Sequence, residues 1–219
     1  MQTVPETQLI QFENWTLRIR ESGDPNAKLL LLIHGLKGDE NSMWVFARDL
    51  PANYWIVAPR ALYTVDTGGY SWRPSQFGSL DEPGLDWLRQ NVDALIQLVD
   101  AYSASVGVDA SLFDVMGFSQ GAVMCNVLTF LHPQRIRKTG ILAGFVPSGL
   151  EELISQRPLE GKPFFVTHGT KDETVPIERA RTSIDLLEQA GAMVTYCEDD
   201  VAHKVSLNCL RGLKQFLTD

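Results

Sequence analysis

Ser119 stands at the centre of Gly117-Phe118-Ser119-Gln120-Gly121, between an apolar run over residues 113–116 and a stretch with the apolar spacing of a helix. A turn tight enough to hold a hydroxyl above the end of a buried strand leaves little room for side chains two positions away, and glycine occupies both places. The same turn sets the N–H of Gln120 at a helix start, where it is free to bind developing negative charge. Ser119 is therefore a candidate nucleophile. A serine hydroxyl is weak at neutral pH, so it needs a base, and the base needs a partner that holds its tautomer.

In a doubly wound hydrolase the acid and then the histidine follow the serine along the chain. Of the four histidines, only His168 and His203 lie after Ser119 and beyond the next strand. If Asp172, in HGTKDETVP, is the acid, His203, in DDVAHKVS, is the histidine left downstream of it. Separations of 53 residues from Ser119 to Asp172 and 31 from Asp172 to His203 leave room for the intervening elements. Glu173, Asp199 and Asp200 are the competing acids. The second half of an oxyanion hole is expected in the loop after the first long buried strand, through the backbone N–H of Leu36 paired with that of Gln120. His34 reads as a structural residue orienting that loop, and His132 as a solvated one. Trp72, Phe77, Phe145 and Val175 are candidates for lining an acyl groove, with ordinary packing as the competing reading. Arg60 and Arg73 read as solvated loop charges, with contact to an acidic substrate as the competing reading.

The elements that must position these residues alternate along the chain. Two β-prone runs, 8–12 and 15–20, suggest an edge hairpin. Residues 29–33 form an unbroken apolar run of the kind found in a parallel strand buried on both faces, ending in His34-Gly35-Leu36-Lys37-Gly38. A helix is expected over 41–50, a strand over 54–58, and then an irregular segment over 59–83. Residues 86–102 carry a clear amphipathic helical pattern. Beyond Ser119, strands are expected at 140–146, 163–168 and 193–196. Short helical spacing covers 150–155, Pro176 opens a helix stopped by Gly191, and Ser206 caps a last helix lined by Leu207, Leu210, Leu213 and Leu217. This alternation predicts an α/β fold, a mostly parallel twisted sheet with helices on both faces, as one domain over 1–219 without a separate lid domain.

Composition narrows the partners. The 219 residues are 44% hydrophobic and 21% charged, with a formal charge of -8 and a pI near 5.0. That balance disfavours a nucleic-acid partner, which would need a basic face. No apolar run approaches the roughly 18 residues needed for an integral membrane segment, and the first residues lack the charged and apolar regions of a signal peptide. Cys125, Cys197 and Cys209 are odd in number with no C-x-x-C spacing, which argues against a disulfide framework or zinc site and for reduced thiols in a cytoplasmic protein. A homodimer is compatible with all of this.

The segments LIHGLKGDE, GFSQGAVM, GFVP, HGTKDETVPI and AHKVS resemble those of the phospholipase/carboxylesterase family of α/β-hydrolases, which includes bacterial carboxylesterases and acyl-protein thioesterases. The resemblance runs from Leu29 onward, and the family's roles fall on Ser119, Asp172 and His203. Two departures are Ala202, where a glycine is usual before the histidine, and the loosely matching Tyr70-Ser71-Trp72-Arg73. The resemblance implies a serine hydrolase of small-molecule carboxylic esters with short to medium acyl chains, needing no metal or organic cofactor. An acyl-protein thioesterase or lysophospholipase would use the same residues. A dienelactone hydrolase would usually carry cysteine in place of Ser119, and from another class stands a catalytically inactive binding protein on the same scaffold.

Overall fold

The structure, a computed structural model, describes residues 6–48, 50–74 and 85–219. Its main sheet has eight strands in the order β1 (Gln8–Phe12), β2 (Trp15–Arg20), β4 (Tyr54–Pro59), β3 (Lys28–Ile33), β7 (Phe113–Phe118), β8 (Ile136–Leu142), β9 (Pro163–Gly169) and β10 (Met193–Asp199). The β1–β2 hairpin and the β2–β4 pair are antiparallel, and every pairing from β4 to β10 is parallel. The carboxyl ends of β3, β7, β9 and β10 therefore share one rim.

Strand residues alternate between two apolar layers, as a pleated sheet covered on both sides requires. Leu29, Leu31, Ile33, Val115, Ile141 and Val166 pack with α2 (Leu85–Val106) and α3 (Gln120–Leu131). Leu30, Leu32, Ile56, Met116 and Phe165 pack with α1 (Trp44–Ala47) and α6 (Leu207–Thr218). Two further helices, α4 (Glu151–Ser155) and α5 (Ile177–Gln189), lie between β8 and β10 in the chain. This is the expected α/β sheet with helices on both faces.

Three local expectations need correction. The helix expected over 41–50 shrinks to one turn, α1, because Asp39 captures the N–H of Asn41 and the hydroxyl of Ser42, holding the chain in a local turn. The strand expected over 140–146 runs instead from Ile136 to Leu142. Its charged start is accommodated because Arg137 donates two hydrogen bonds to the buried Asp114 carboxylate (2.8 and 2.5 Å) and Lys138 donates to the Phe216 carbonyl at 2.6 Å. It ends where Ala143 adopts φ 50°. Within the irregular segment, β5 (Tyr63–Thr64) and β6 (Tyr70–Ser71) form a small hairpin, and Phe77 lies outside the described residues.

The cysteine expectation is also overturned. Cys197 on β10 and Cys209 in the first turn of α6 form a disulfide, with their Cα atoms 5.6 Å apart. Folding α6 back against β9 and β10 brings together residues whose spacing carries no motif. Cys125 is the free, buried thiol, and the cysteine argument for a cytoplasmic location falls. Among the described residues no helix is long and apolar enough to cross a membrane.

The turn between β7 and α3 leaves no room for side chains at its two glycines. A Cβ on Gly121 would lie 2.0 Å from the Ile33 carbonyl oxygen, and one on Gly117 would lie 2.3 Å from the backbone of Gly121. Backbone cannot retreat from backbone in the middle of a sheet, so Gly121→Ala should lower stability by about 3 kcal/mol, read from urea unfolding.

Candidate active site

Ser119 sits between β7 and α3 with φ 53° and ψ -116°, a region that residues with a side chain seldom adopt. Its N–H donates to the Leu142 carbonyl at 2.9 Å and its own carbonyl accepts from Ala122 and Val123, so the turn is fixed on both sides. The Ser119 hydroxyl lies 3.0 Å from Nε2 of His203, and Nδ1 of His203 lies 2.6 Å from Oδ2 of Asp172. Three loops, from β7, β9 and β10, thus meet at one point. His203 is also flanked by the Phe118 ring at 5.0 Å, which itself stacks on Phe46 at 5.8 Å.

Asp172 is tightly specified. Its Oδ1 accepts the N–H groups of Thr174 and Val175, both at 2.9 Å, and its side chain is fully buried. Burial pushes the carboxyl up, but the Val175 N–H and then His203 and the Thr174 N–H outweigh it, leaving Asp172 below the usual carboxylate range. His168 is buried on the other side, with its Nε2–H on the Val175 carbonyl at 2.7 Å and 3.3 Å from Oδ2 of Asp172. The competing acids point elsewhere. Asp200 pairs with Lys171 at 2.8 Å, Asp199 caps the N–H of Asp200, and Glu173 is exposed.

The N–H groups of Leu36 and Gln120 have no acceptor among the described residues. A Cβ on Gly35 would be 3.3 Å from that of Ser119, so the Leu36 loop passes in contact with the serine. What holds the loop there is a buried polar network that sequence reasoning missed. The Gln120 side chain accepts the Trp72 N–H at 3.0 Å and donates to Ser71 at 3.1 Å. The Trp72 indole donates to the His34 carbonyl at 2.9 Å, and Lys37 donates to the Tyr70 carbonyl at 2.8 Å. Arg60, read above as solvated, clamps Glu40 through two bonds of 2.7 and 2.9 Å and lies over the Tyr70 ring. The paired polar groups 34–40 and 60–72 carry no short motif, although a glutamine directly after the serine was the signal available.

The groove candidates fare differently. Trp72 is completely buried, so its ring packs and its N–H is already used; it offers no surface to a ligand. Val175 and Phe145 form a small cluster with Val123 and are 3% and 1% exposed, and the Phe145 ring carries the Arg179 guanidinium 3.4 Å above it. In the loops that follow β3 and β4, Leu36 and Leu62 are 46% and 45% exposed. No group of three His, Cys, Asp or Glu among the described residues could hold a metal ion.

His34 is neutral by construction. Its Nε2 accepts the Ala61 N–H at 3.0 Å, so Nδ1 carries the proton and donates to the Gly35 carbonyl at 2.7 Å. Burial lowers its pKa, against weaker opposing effects of the Gly35 carbonyl and the charges of Asp39 and Glu40. Because the folded value lies below the unfolded value of about 6.5, the unfolded chain takes up the proton first. The stability His34 contributes is complete above that pH and is lost as pH falls below it toward the folded value. Urea midpoints measured from pH 8 to pH 5 should decline, and His34→Asn should flatten the decline. Trp72→Phe, which deletes the donor to the His34 carbonyl, should lower kcat about tenfold with KM within twofold, read with an aryl ester.

The comparisons with known proteins agree with this architecture. A family model described as Phospholipase/Carboxylesterase matches residues 14–219. The fold superposes on a carboxylesterase from Mesorhizobium loti with a TM-score of 0.81 at 20% identity, covering 97% of this chain and 98% of that one. The Bacillus cereus carboxylesterase gives a TM-score of 0.80 at 20% identity, with 94% of each chain covered. SOBER1 of Arabidopsis thaliana gives 0.73 at 21% identity, covering 88% of this chain and 98% of that one. Among curated proteins no sequence match is found. With its parallel sheet, its glycine-flanked serine turn and a family match over nearly its whole length, the chain belongs to the phospholipase/carboxylesterase family of α/β-hydrolases.

Proposed function

We propose that this protein hydrolyses carboxylic esters of short to medium acyl chains through a covalent acyl-enzyme. The hydrogen-bonded line from Ser119 Oγ to His203 Nε2 (3.0 Å) and from His203 Nδ1 to Asp172 Oδ2 (2.6 Å) is the observation that carries this assignment. Asp172, held ionised, accepts from Nδ1 and leaves Nε2 as the basic nitrogen facing the serine. As Ser119 Oγ attacks the ester carbonyl carbon, its proton passes to Nε2 and the imidazolium is stabilised by Asp172. The carbonyl oxygen becomes an oxyanion, received by the N–H groups of Leu36 and Gln120, each contributing about 3 kcal/mol to its stabilisation. Nε2–H then protonates the departing alkoxide, leaving the acyl-enzyme. Water enters in the alcohol's place and attacks the acyl carbon as Nε2 takes its proton; Nε2–H then returns that proton to Ser119 Oγ as the acyl C–Oγ bond breaks, releasing the carboxylic acid and restoring the free serine.

The exposed side chains of Leu36 and Leu62 give an apolar chain a place to lie without enclosing it. A thioester or a lysophospholipid would meet the same catalytic groups. Turnover of ester and thioester substrates of matched chain length, extended to a lysophospholipid, distinguishes them; the ester is expected to be preferred.

With p-nitrophenyl butyrate, Ser119→Ala and His203→Ala should each reduce kcat by about 10⁴-fold or more, and Asp172→Asn by about 10⁴-fold, with circular dichroism unchanged. A fluorophosphonate should label the native protein and not Ser119→Ala. Absence of labelling of the folded native protein would instead favour a binding module on a hydrolase scaffold.

A further inference from the structure

The disulfide between Cys197 and Cys209 takes no part in the acyl-transfer steps, yet His203 lies midway between its two halves. After Cys197 the chain completes β10 at Asp199, leaves the sheet, passes through His203 and re-enters regular structure at Leu207. The first part of this excursion is tied to the loop bearing Asp172: the N–H of Thr170 donates to the Asp199 carbonyl at 2.9 Å and that of Lys171 to the Val201 carbonyl at 3.0 Å. From residue 202 to residue 205, among the described residues, the sole backbone hydrogen bond is a local one, from Lys204 to Ala202. His203 thus sits where the backbone has few ties of its own.

Its far anchor is the start of α6. That helix is fixed to the sheet mainly through its second half, where Leu213 and Leu217 are fully buried, the Tyr54 hydroxyl donates to the Leu217 carbonyl, and Lys138 donates to the Phe216 carbonyl. Leu207, in the first turn, is 74% exposed. Cys209 bonds this turn covalently to β10, while its N–H meets the capping Ser206 hydroxyl at 3.1 Å. The disulfide therefore sets the distance between the two ends of the excursion.

We infer that Cys197 and Cys209 are positioning residues, whose disulfide holds His203 in register with Ser119 and Asp172, so that its reduction slows turnover while leaving substrate binding in place. This rests on the assignment of His203 as the base. Reduction needs a dithiol. Cys197 is the half-buried partner and Cys209 the buried one, so the dithiol's thiolate attacks Sγ of Cys197 and Cys209 leaves as a thiolate. The dithiol's second thiolate then attacks the reagent's own sulfur in the mixed disulfide, closing it into a cyclic disulfide and releasing Cys197. Two electrons pass from the dithiol to the cystine, and both cysteines take up protons.

The purified enzyme is treated with dithiothreitol under native conditions, the reagent is removed by gel filtration, and p-nitrophenyl butyrate hydrolysis is measured. Two new alkylatable thiols confirm reduction by mass. A fall in kcat of about tenfold with KM within twofold is expected, restored by reoxidation of uncapped protein with diamide. The Cys197→Ser/Cys209→Ser double variant should show the lowered kcat and respond to neither reagent. Hydrogen exchange over 200–206 should rise in the reduced protein, with the sheet unchanged. The inference is overturned by unchanged kcat after both thiols are alkylated, by three free thiols in protein purified without reductant, or by exchange rising throughout the molecule, which would make the bond one of general stability. If Ser119→Ala is inactive while reduction leaves kcat alone, only the disulfide's role falls; if Ser119→Ala keeps full turnover, the nucleophile assignment falls with it.

Discussion

The backbone of Ser119 occupies a conformation that costs free energy, of the order of 1–3 kcal/mol, and survives only because its surroundings over-determine it. β7 enters the turn locked between β3 and β8, and α3 leaves it fully packed, with eleven of its twelve residues buried. Glycine at 117 and 121 lets the two arms approach to a separation that any Cβ would obstruct. The rest of the site follows from this constraint, since the turn fixes at once where the hydroxyl points and where the first N–H of α3 is left, without an acceptor among the described residues.

Around that fixed point the polar groups are arranged so that each is held by something other than the substrate. Asp172 has its outer oxygen occupied by two backbone N–H groups and its inner oxygen turned to His203. The Leu36 loop is held through His34, Trp72 and Tyr70, and the Ser71–Trp72 segment in turn by the side chain of Gln120. One residue thereby links the two halves of the proposed oxyanion site, offering its N–H to one half and its side-chain amide to the segment that supports the other. Donors fixed in advance need no reorganisation when charge develops, and that is the condition under which they are most effective.

Sequence patterning reached much of this and stopped at identifiable places. The parallel sheet was legible because buried strands such as residues 29–33 are unbroken apolar runs, and the amphipathic spacing of α2 is equally plain. The serine turn was legible because its steric demand falls on residue types at fixed spacing. The first half of β8 was hidden by Arg137 and Lys138, whose charges look solvated until Asp114 and the Phe216 carbonyl come into view from distant parts of the chain. The same holds for Arg60 with Glu40, and for Cys197 with Cys209: each pair is made by the fold, with no local spacing to announce it. Trp72 misled for a related reason, since an aromatic in an irregular segment reads as surface and gives no sign that its indole nitrogen has a buried carbonyl to serve.

In the proposed mechanism the main-chain N–H of Leu36 serves the oxyanion, while its side chain is nearly half exposed. The atom offered to the oxyanion is common to every amino acid except proline, whereas the part that meets an incoming alkyl or acyl chain is open to replacement. On that proposal, substrate preference and rate are written on separate atoms of a single residue. Such a position is suited to saturation mutagenesis, where selectivity can be retuned by bulk or polarity without removing the machinery that breaks the bond.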